Sequence, residues 1–407
     1  MKKMLKAAAV LAAILMALTL GACDNGSSSG SGGGGDIDGN GGGGNGDGSG
    51  SGGGGSTSSS KNPFGFTEED NFKYFCLDKD GKVLQKVEYD YEGEDVEGTV
   101  FVVYWTLTDG TGEVTLYKYY GDYEDVTIPD GVTKIRFSVF YECTSLESVT
   151  IPASVTEIGS SAFKYCSSLE SANIPDGVTK IDMDVFYGCT SLKSVTIPDS
   201  VTEIGFEAFY GCSSLASVTI PGSVTEIGKM AFHGCASLES VTIPDGVTEI
   251  SMDTFSDCTL LKSVTIPDSV TEIGSSAFYG CSLLASVTIP DGVTKIDNGA
   301  FEGCSSLASV TIPDGVTEIG SSAFAGCSSF TSMTIPSSVT KIGFYAFAGC
   351  SNLKEVTFAV TDGWCEDHDG AKVNVENPAT NAINLKDTSS SRQNTNWGLR
   401  GLRRETE

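Results

Sequence analysis

Two histidines and thirteen cysteines are the residues of this 407-residue chain best suited to nucleophilic or metal chemistry. Cys365 and His368 stand together in Trp-Cys-Glu-Asp-His-Asp, a spacing that suggests a thiol nucleophile with its base, or a ligand set completed by Asp367 and Asp369. A working site also needs a pocket, oxyanion donors and supporting residues from elsewhere in the chain. Nothing in the sequence supplies them, so a polar loop is expected here, with no catalytic residue, no cofactor and no metal. Ten further cysteines, Cys143, Cys166, Cys189, Cys212, Cys235, Cys258, Cys281, Cys304, Cys327 and Cys350, recur every 23 residues. A metal draws its ligands to one point, as a Cys-x-x-Cys pair does; cysteines in single file do not. Parallel Cβ vectors also oppose disulfides between neighbours. These thiols are expected to be small, reduced, buried apolar groups.

The remaining candidate chemistry is recognition. The position after each repeat phenylalanine reads Tyr141, Lys164, Tyr187, Tyr210, His233, Ser256, Tyr279, Glu302, Ala325 and Ala348. Tyrosine offers rigid, amphipathic contact area, which makes Tyr141, Tyr187, Tyr210 and Tyr279 candidate ligand contacts. Outward-facing threonines, among them Thr196, Thr219, Thr242 and Thr265, form a second candidate surface, uniform where the first is varied. Two acidic columns, Asp245, Asp268, Asp291 and Asp314, and Glu203, Glu226, Glu249 and Glu272, place like charges on adjacent strands and are expected to be solvated edges.

The elements that position these residues follow from the repeat. A fixed period of this length signals a solenoid, in which each unit buries its apolar face only against its neighbours. Val-Thr-Ile, as in Val195, Thr196 and Ile197, alternates like a half-buried strand. Stacked coils would align these strands about 4.8 Å apart in a parallel sheet with its threonines outward. Proline ends each strand, at 129, 152, 175, 198, 221, 244, 267, 290, 313 and 336, because it cannot donate to a ladder. Pro-Asp-Gly then suggests a type I turn with proline second and glycine fourth. Val-Thr-Glu/Lys-Ile and Ala-Phe-x-Gly-Cys return the chain, burying phenylalanine and cysteine on the far wall.

Outside the repeats, residues 1–22 read as a secretory signal, with Lys2, Lys3 and Lys6 before a short apolar run. Residues 23–62, nearly all Gly, Ser, Asp and Asn, have nothing to bury and are expected to be a flexible tether spanning about 35 Å. Residues 63–125 alternate like strands, with runs over Phe72–Leu77, Val83–Tyr91, Thr99–Leu107 and Gly112–Tyr120, and Asp-Gly at Asp80 and Asp109 favouring hairpins. This β-rich region is expected to cap the first of ten repeats over 126–355. A closing cap is expected over 356–390 and a disordered tail over 391–407. A net charge of −28 argues against nucleic acid, which needs a clustered basic surface, and favours solubility and basic partners.

Two family resemblances add to this reading. Leu20-Gly21-Ala22-Cys23 resembles the lipobox of bacterial lipoproteins, which implies cleavage before Cys23, acylation of its thiol and a membrane anchor in the cell envelope. Cys304 to Phe324, CSSLASVTIPDGVTEIGSSAF, is similar to the 23-residue leucine-rich repeat of BspA-like bacterial surface antigens over residues 126–355. That resemblance implies a leucine-rich-repeat solenoid, a right-handed arc with its parallel β-sheet on the concave face. It also implies an exported surface protein, with host extracellular-matrix proteins or other cells as partners. The leading expectation is a non-catalytic surface lipoprotein that binds a macromolecule; the alternative is a structural or glycan-binding envelope module.

Overall fold

The structure, a computed structural model, describes residues 64–71, 73–87, 96–108, 111–366, 375, 381, 385 and 402–404. The signal segment, Cys23 and the tether lie outside the described residues, as does His368. The described body, part of the unit Ser58–Glu407, is a parallel β-solenoid of about eleven turns.

Each coil has three sides. The first is the Val-Thr-Ile strand, whose valine and isoleucine face inward while the threonine faces out, as at Ser194–Thr196 and Ser263–Thr265. The second is a two-residue Glu/Lys-Ile strand, such as Glu203–Ile204 or Lys295–Ile296, which buries its isoleucine. The threonine preceding this strand locks the register twice. In Thr156, both the backbone N–H and Oγ1 donate to the Thr133 carbonyl one coil earlier, at 2.8 and 3.3 Å. The third side is the Phe-x-Gly-Cys turn. Its phenylalanine N–H donates to the next coil, Phe140 to Ala162 at 2.8 Å.

The core between these sides is a file of phenylalanines. Phe140, Phe163, Phe186, Phe209, Phe232, Phe255, Phe278, Phe301, Phe324 and Phe347 stack with centroids 5.0 to 5.6 Å apart and ring planes within 2 to 11°. All are fully buried, and offset aromatic pairs of this kind contribute about 0.5–1.5 kcal/mol beyond their burial. Beside them run the repeat cysteines. From Cys166 to Cys350, each Sγ donates to the phenylalanine carbonyl of the preceding coil at 3.1 to 3.3 Å. None of the twelve described cysteines is bridged in a disulfide, and only Cys143, in the first coil, is partly exposed.

Two local features differ from expectation. The turn after each strand closes from valine N–H to proline carbonyl, as in Val132 to Pro129 at 3.3 Å and Val201 to Pro198 at 3.1 Å. Proline is therefore first and glycine third in the turn, one place earlier than the sequence suggests. The ladder continues through the isoleucine, whose N–H donates to the adjacent coil (Ile128 to Thr150, 3.0 Å), so the turn begins one residue later.

The Val-Thr-Ile sheet is also interrupted. Regular strand pairing is lost at Ser217–Thr219, Ser286–Thr288 and Ser309–Thr311, the coils in which the residue before the strand is Ala216, Ala285 or Ala308. Elsewhere that column carries larger polar residues, and Lys193–Glu170 (2.7 Å) and Lys262–Glu239 (2.9 Å) span paired coils. A cross-strand pair adds a few tenths of a kcal/mol to about 1 kcal/mol, enough to tip strands this short; alanine provides no such link.

Both ends are closed by pairing. Four antiparallel strands, β1 (Lys73–Leu77), β2 (Val83–Val87), β3 (Phe101–Thr108) and β4 (Thr111–Tyr119), make the first cap. β4 runs parallel to Lys134–Ile135, with Thr115 opposite Lys134, so the cap extends the Glu/Lys-Ile ladder as well as covering the core. Tyr119 starts the ring file, 4.8 Å from Phe140. At the other end, Leu402–Arg404 lies antiparallel to both Lys341–Ile342 and Trp364–Glu366. The segment 391–407 thus contains a strand where a disordered tail was expected: fully buried Leu402 covers the last coil, and the strand satisfies the ladder's open edge. Asn381 is buried in the same cap and its Nδ2 donates to the Val356 and Val375 carbonyls at 2.9 and 2.7 Å.

Candidate functional site

The column after the phenylalanines becomes a continuous aromatic surface over the first coils. Tyr141 meets Tyr165 edge to face at 5.8 Å, and Tyr165 meets Tyr187 at 5.2 Å. Tyr187, Tyr210 and His233 then stack in parallel, each step 4.6 Å. Their backbones are held by the third-side ladder, in which Tyr165 N donates to Tyr187 O at 2.7 Å and Gly211 N to His233 O at 2.7 Å. Tyr279, 41% exposed, stands two coils beyond His233, with buried Ser256 between them.

Tyr165 is absent from the column-based candidates because it occupies the next position, filled by glycine in most coils. That position requires a left-handed backbone: Gly188 has φ 69° and Tyr165 φ 63°. For a bulky L-residue this costs about 1–2 kcal/mol. Its ring lies across Gly188, where an added Cβ would come within 2.6 Å of it, so the tyrosine fits only because the next coil has glycine. Glu142 and Asp257 are the other non-glycine occupants. The departure from Phe-x-Gly-Cys is the sequence signal that marks all three.

A second left-handed column supplies charge. Asp184 (φ 60°) is only 8% exposed. Its Oδ2 accepts from Lys164 Nζ at 2.7 Å and from Ser161 Oγ at 3.4 Å, while buried Oδ1 has no partner. Lys164 Nζ also sits 4.0 Å from the Tyr187 ring centroid and 5.7 Å from that of Tyr165, a cation held between two aromatic faces and a carboxylate. One coil on, Glu207 repeats the place of Asp184, and burial, then the negative charge of Asp184, pushes its carboxyl above the ordinary value. Burial and the neighbouring Tyr165 push the Tyr187 phenol up to about 12. His233 Nε2 is 3.9 Å from Asp257 Oδ2, its buried Nδ1 has no partner, and Asp253 nearby is raised chiefly by burial.

Alongside runs an exposed apolar column at the same period, Phe137, Met183, Phe206 and Met252. Arg136 lies over both Phe137 and Tyr117, at 4.2 and 4.3 Å. Aromatic, acidic and apolar columns together make a surface suited to holding another chain.

The other candidates are placed elsewhere. Thr196, Thr219, Thr242 and Thr265 are exposed on the first side of the coil, away from the tyrosines. The Glu column is partly neutralised by cross-coil pairs, Lys180–Glu203 at 2.9 Å and Lys341–Glu318 at 3.0 Å. Among the described residues, no group of three or more His, Cys, Asp or Glu side chains converges on a metal position. Cys365 is buried in the closing cap, its Sγ donating to Arg403 O at 3.5 Å. That places the thiol in packing, and its expected partners Asp367, His368 and Asp369 lie outside the described residues.

Comparison with known proteins follows the architecture. No curated protein matches the chain. Among solved structures, a leucine-rich-repeat protein of T. pallidum is 36% identical, covering 44% of this chain and 86% of its own, with a TM-score of 0.42. A leucine-rich cell surface protein of Faecalibacterium prausnitzii is 30% identical, covering 67% and 96%, with a TM-score of 0.40. A leucine-rich-repeat protein of Bacteroides ovatus is also 30% identical, covering 66% and 94%, with a TM-score of 0.37. The family model for the BspA-type leucine-rich-repeat region matches residues 113–238, 179–285 and 271–362, more than half of the sequence, and the chain therefore belongs to the BspA-type leucine-rich-repeat family.

Proposed function

We propose that this protein is a non-catalytic binding protein of the bacterial cell surface, anchored by lipid on Cys23 and carried on the 23–62 tether. Its partner is a macromolecule, a host extracellular-matrix protein or the surface of another cell, held along the solenoid. The observation that carries this reading is the aromatic surface over Tyr141, Tyr165, Tyr187, Tyr210 and His233. Buried phenylalanine and cysteine already stabilise each coil, so tyrosines stacked outside the core add contact area that the fold does not need. The leader, lipobox and polar tether support display at a distance from a membrane.

The test has two arms. Expressed in a bacterial host, the wild-type chain should incorporate labelled fatty acid, Cys23→Ala should not, and protease added to intact cells should remove the wild-type solenoid. The purified full-length chain should then bind at least one member of a panel of immobilised matrix proteins, and Tyr187→Ala with Tyr210→Ala should weaken that binding about tenfold or more. Binding to neutral glycans alone would favour the envelope-module alternative and the uniform threonine face. Silence across the protein panel would sink the proposal.

A further inference from the structure

Lys164 and Asp184 form an ion pair set apart from the others by its enclosure. Their side chains are 19% and 12% exposed, and in no other ion pair among the described residues are both partners so shielded. Lys164 belongs to the second coil and Asp184 to the third, and the ladder between those coils fixes both carriers. Phe163 N–H donates to the Val185 carbonyl at 2.9 Å, and Tyr165 N–H to that of Tyr187 at 2.7 Å. Lys164 Nζ lies 2.7 Å from Asp184 Oδ2, with Cγ one bond beyond, beside the rings of Tyr187 and Tyr165 at 4.0 and 5.7 Å. Ser161 Oγ donates to the same Oδ2 at 3.4 Å, whereas buried Oδ1 has no partner. The donor that Oδ1 lacks is an acid proton. Glu207, one coil on, is in hydrogen-bonding contact with the Asp184 carboxyl, and burial, then that neighbour's charge, make it hold its proton to higher pH than an exposed glutamate does. An amine, a carboxyl carbon and a carboxylic acid thus meet where water is largely excluded.

We infer that Lys164 and Asp184 condense into an intramolecular isopeptide bond, with Glu207 as the acid that polarises the Asp184 carbonyl. The ammonium gives one proton to Oδ2, the amine lone pair forms the Nζ–Cγ bond, and negative charge develops on Oδ1, where the Glu207 acid donates. Nζ then passes a second proton to Oδ2, the Cγ–Oδ2 bond breaks, and Oδ2 leaves as water. An ammonium and a carboxylate become a neutral amide and one water, the step needs no oxidant or co-reactant, and Glu207 ends as it began. Two free side chains in water would not condense. Partners held in place act at effective concentrations of about 10⁵–10⁸ M, and burial favours the neutral product over the charged pair. The reaction occurs once per chain and has no substrate but the chain itself. Its product ties the second coil to the third, close to the first cap, and is independent of what the solenoid binds. Until it forms, the two side chains remain the ion pair described above.

The test uses the full-length chain recovered from inclusion bodies in urea, so that refolding starts the reaction, and follows it by intact-mass spectrometry. The mass should fall by about 18 Da, one water, over days. Trypsin should then leave Phe137–Lys180 uncut at Lys164 and joined to Ile181–Lys193. Lys164→Met should keep its full mass, and Asp184→Asn should lose about 17 Da, because the same attack then expels ammonia. Glu207→Gln should fold, as read by circular dichroism, and react at least about a hundredfold more slowly. A wild-type mass that stays constant after prolonged refolding would overturn the inference. So would a water lost without the joined peptide, as in succinimide formation at an Asp-Gly step, or an undiminished rate in Glu207→Gln.

Discussion

Replacing Lys164 by methionine removes the cation from the Tyr165, Tyr187 and Asp184 enclosure and keeps most of its apolar stem. The lysine and aspartate side chains are 19% and 12% exposed, so the pair is largely shielded from water. Breaking such a pair leaves a carboxylate buried without compensation, which costs about 3–5 kcal/mol in well-buried cases. Residual exposure moves this site to the lower end, and the ring contacts contribute about 0.5–1 kcal/mol more. The expected loss is therefore about 3 kcal/mol for Lys164→Met, read from urea unfolding followed by far-ultraviolet circular dichroism. Asp184→Asn in the same background removes the stranded charge, and the double variant should recover at least half the loss. A solenoid unfolds in neighbouring units, so the affected transition is the one reporting the first coils, and a thiol probe at Cys143 identifies it. A cost below about 1 kcal/mol, or single and double variants additive within about 0.5 kcal/mol, would refute the coupling of Lys164 to Asp184.

Three further outcomes are expected. Phe232→Ala, in the middle of the ring file between Phe209 at 5.2 Å and Phe255 at 5.5 Å, should cost about 3–5 kcal/mol and split thermal unfolding into two transitions, since coupling between its neighbours is cut. In the native protein Cys143 should be alkylated first, with the other repeat thiols protected until unfolding; burial pushes Cys189 and Cys304 up to about 12, so little thiolate exists at neutral pH, and mass spectrometry of pulse-labelled protein reads the order. Glu207→Gln should raise the melting temperature at neutral pH. A carboxyl whose folded value lies above its unfolded value stabilises when protonated and loses that contribution as pH rises through the folded value, so the gain should fade as pH drops below the ordinary glutamate value of 4.5.

The solenoid was legible because its physics repeats. Alternation of valine, threonine and isoleucine assigns one wall, the fixed spacing of phenylalanine and cysteine assigns another, and repetition of an apolar unit allows stacking and little else. The burial of Cys166 to Cys350 followed from the same periodicity. Tyr141, Tyr187 and Tyr210 were legible as a column, because a column in a repeat is a line in space.

Tertiary structure alone decided what each residue on that line touches. Tyr279 shares the column yet stands apart, because buried Ser256 interrupts the rings. Tyr165 lies off the column yet joins it, because a left-handed backbone and the glycine of the next coil let its ring lie across. Sequence order places Lys164, Asp184 and Glu207 in separate coils with nothing to relate them; stacking brings two carboxylates to one lysine. Strand formation by Leu402–Arg404 was equally hidden, since three residues carry no period and their partners lie about sixty and forty residues away in sequence. Repetition within the chain determines the coil and its core, whereas neighbours across coils determine the charge, the ring contacts and the closed end, and those interactions are non-local.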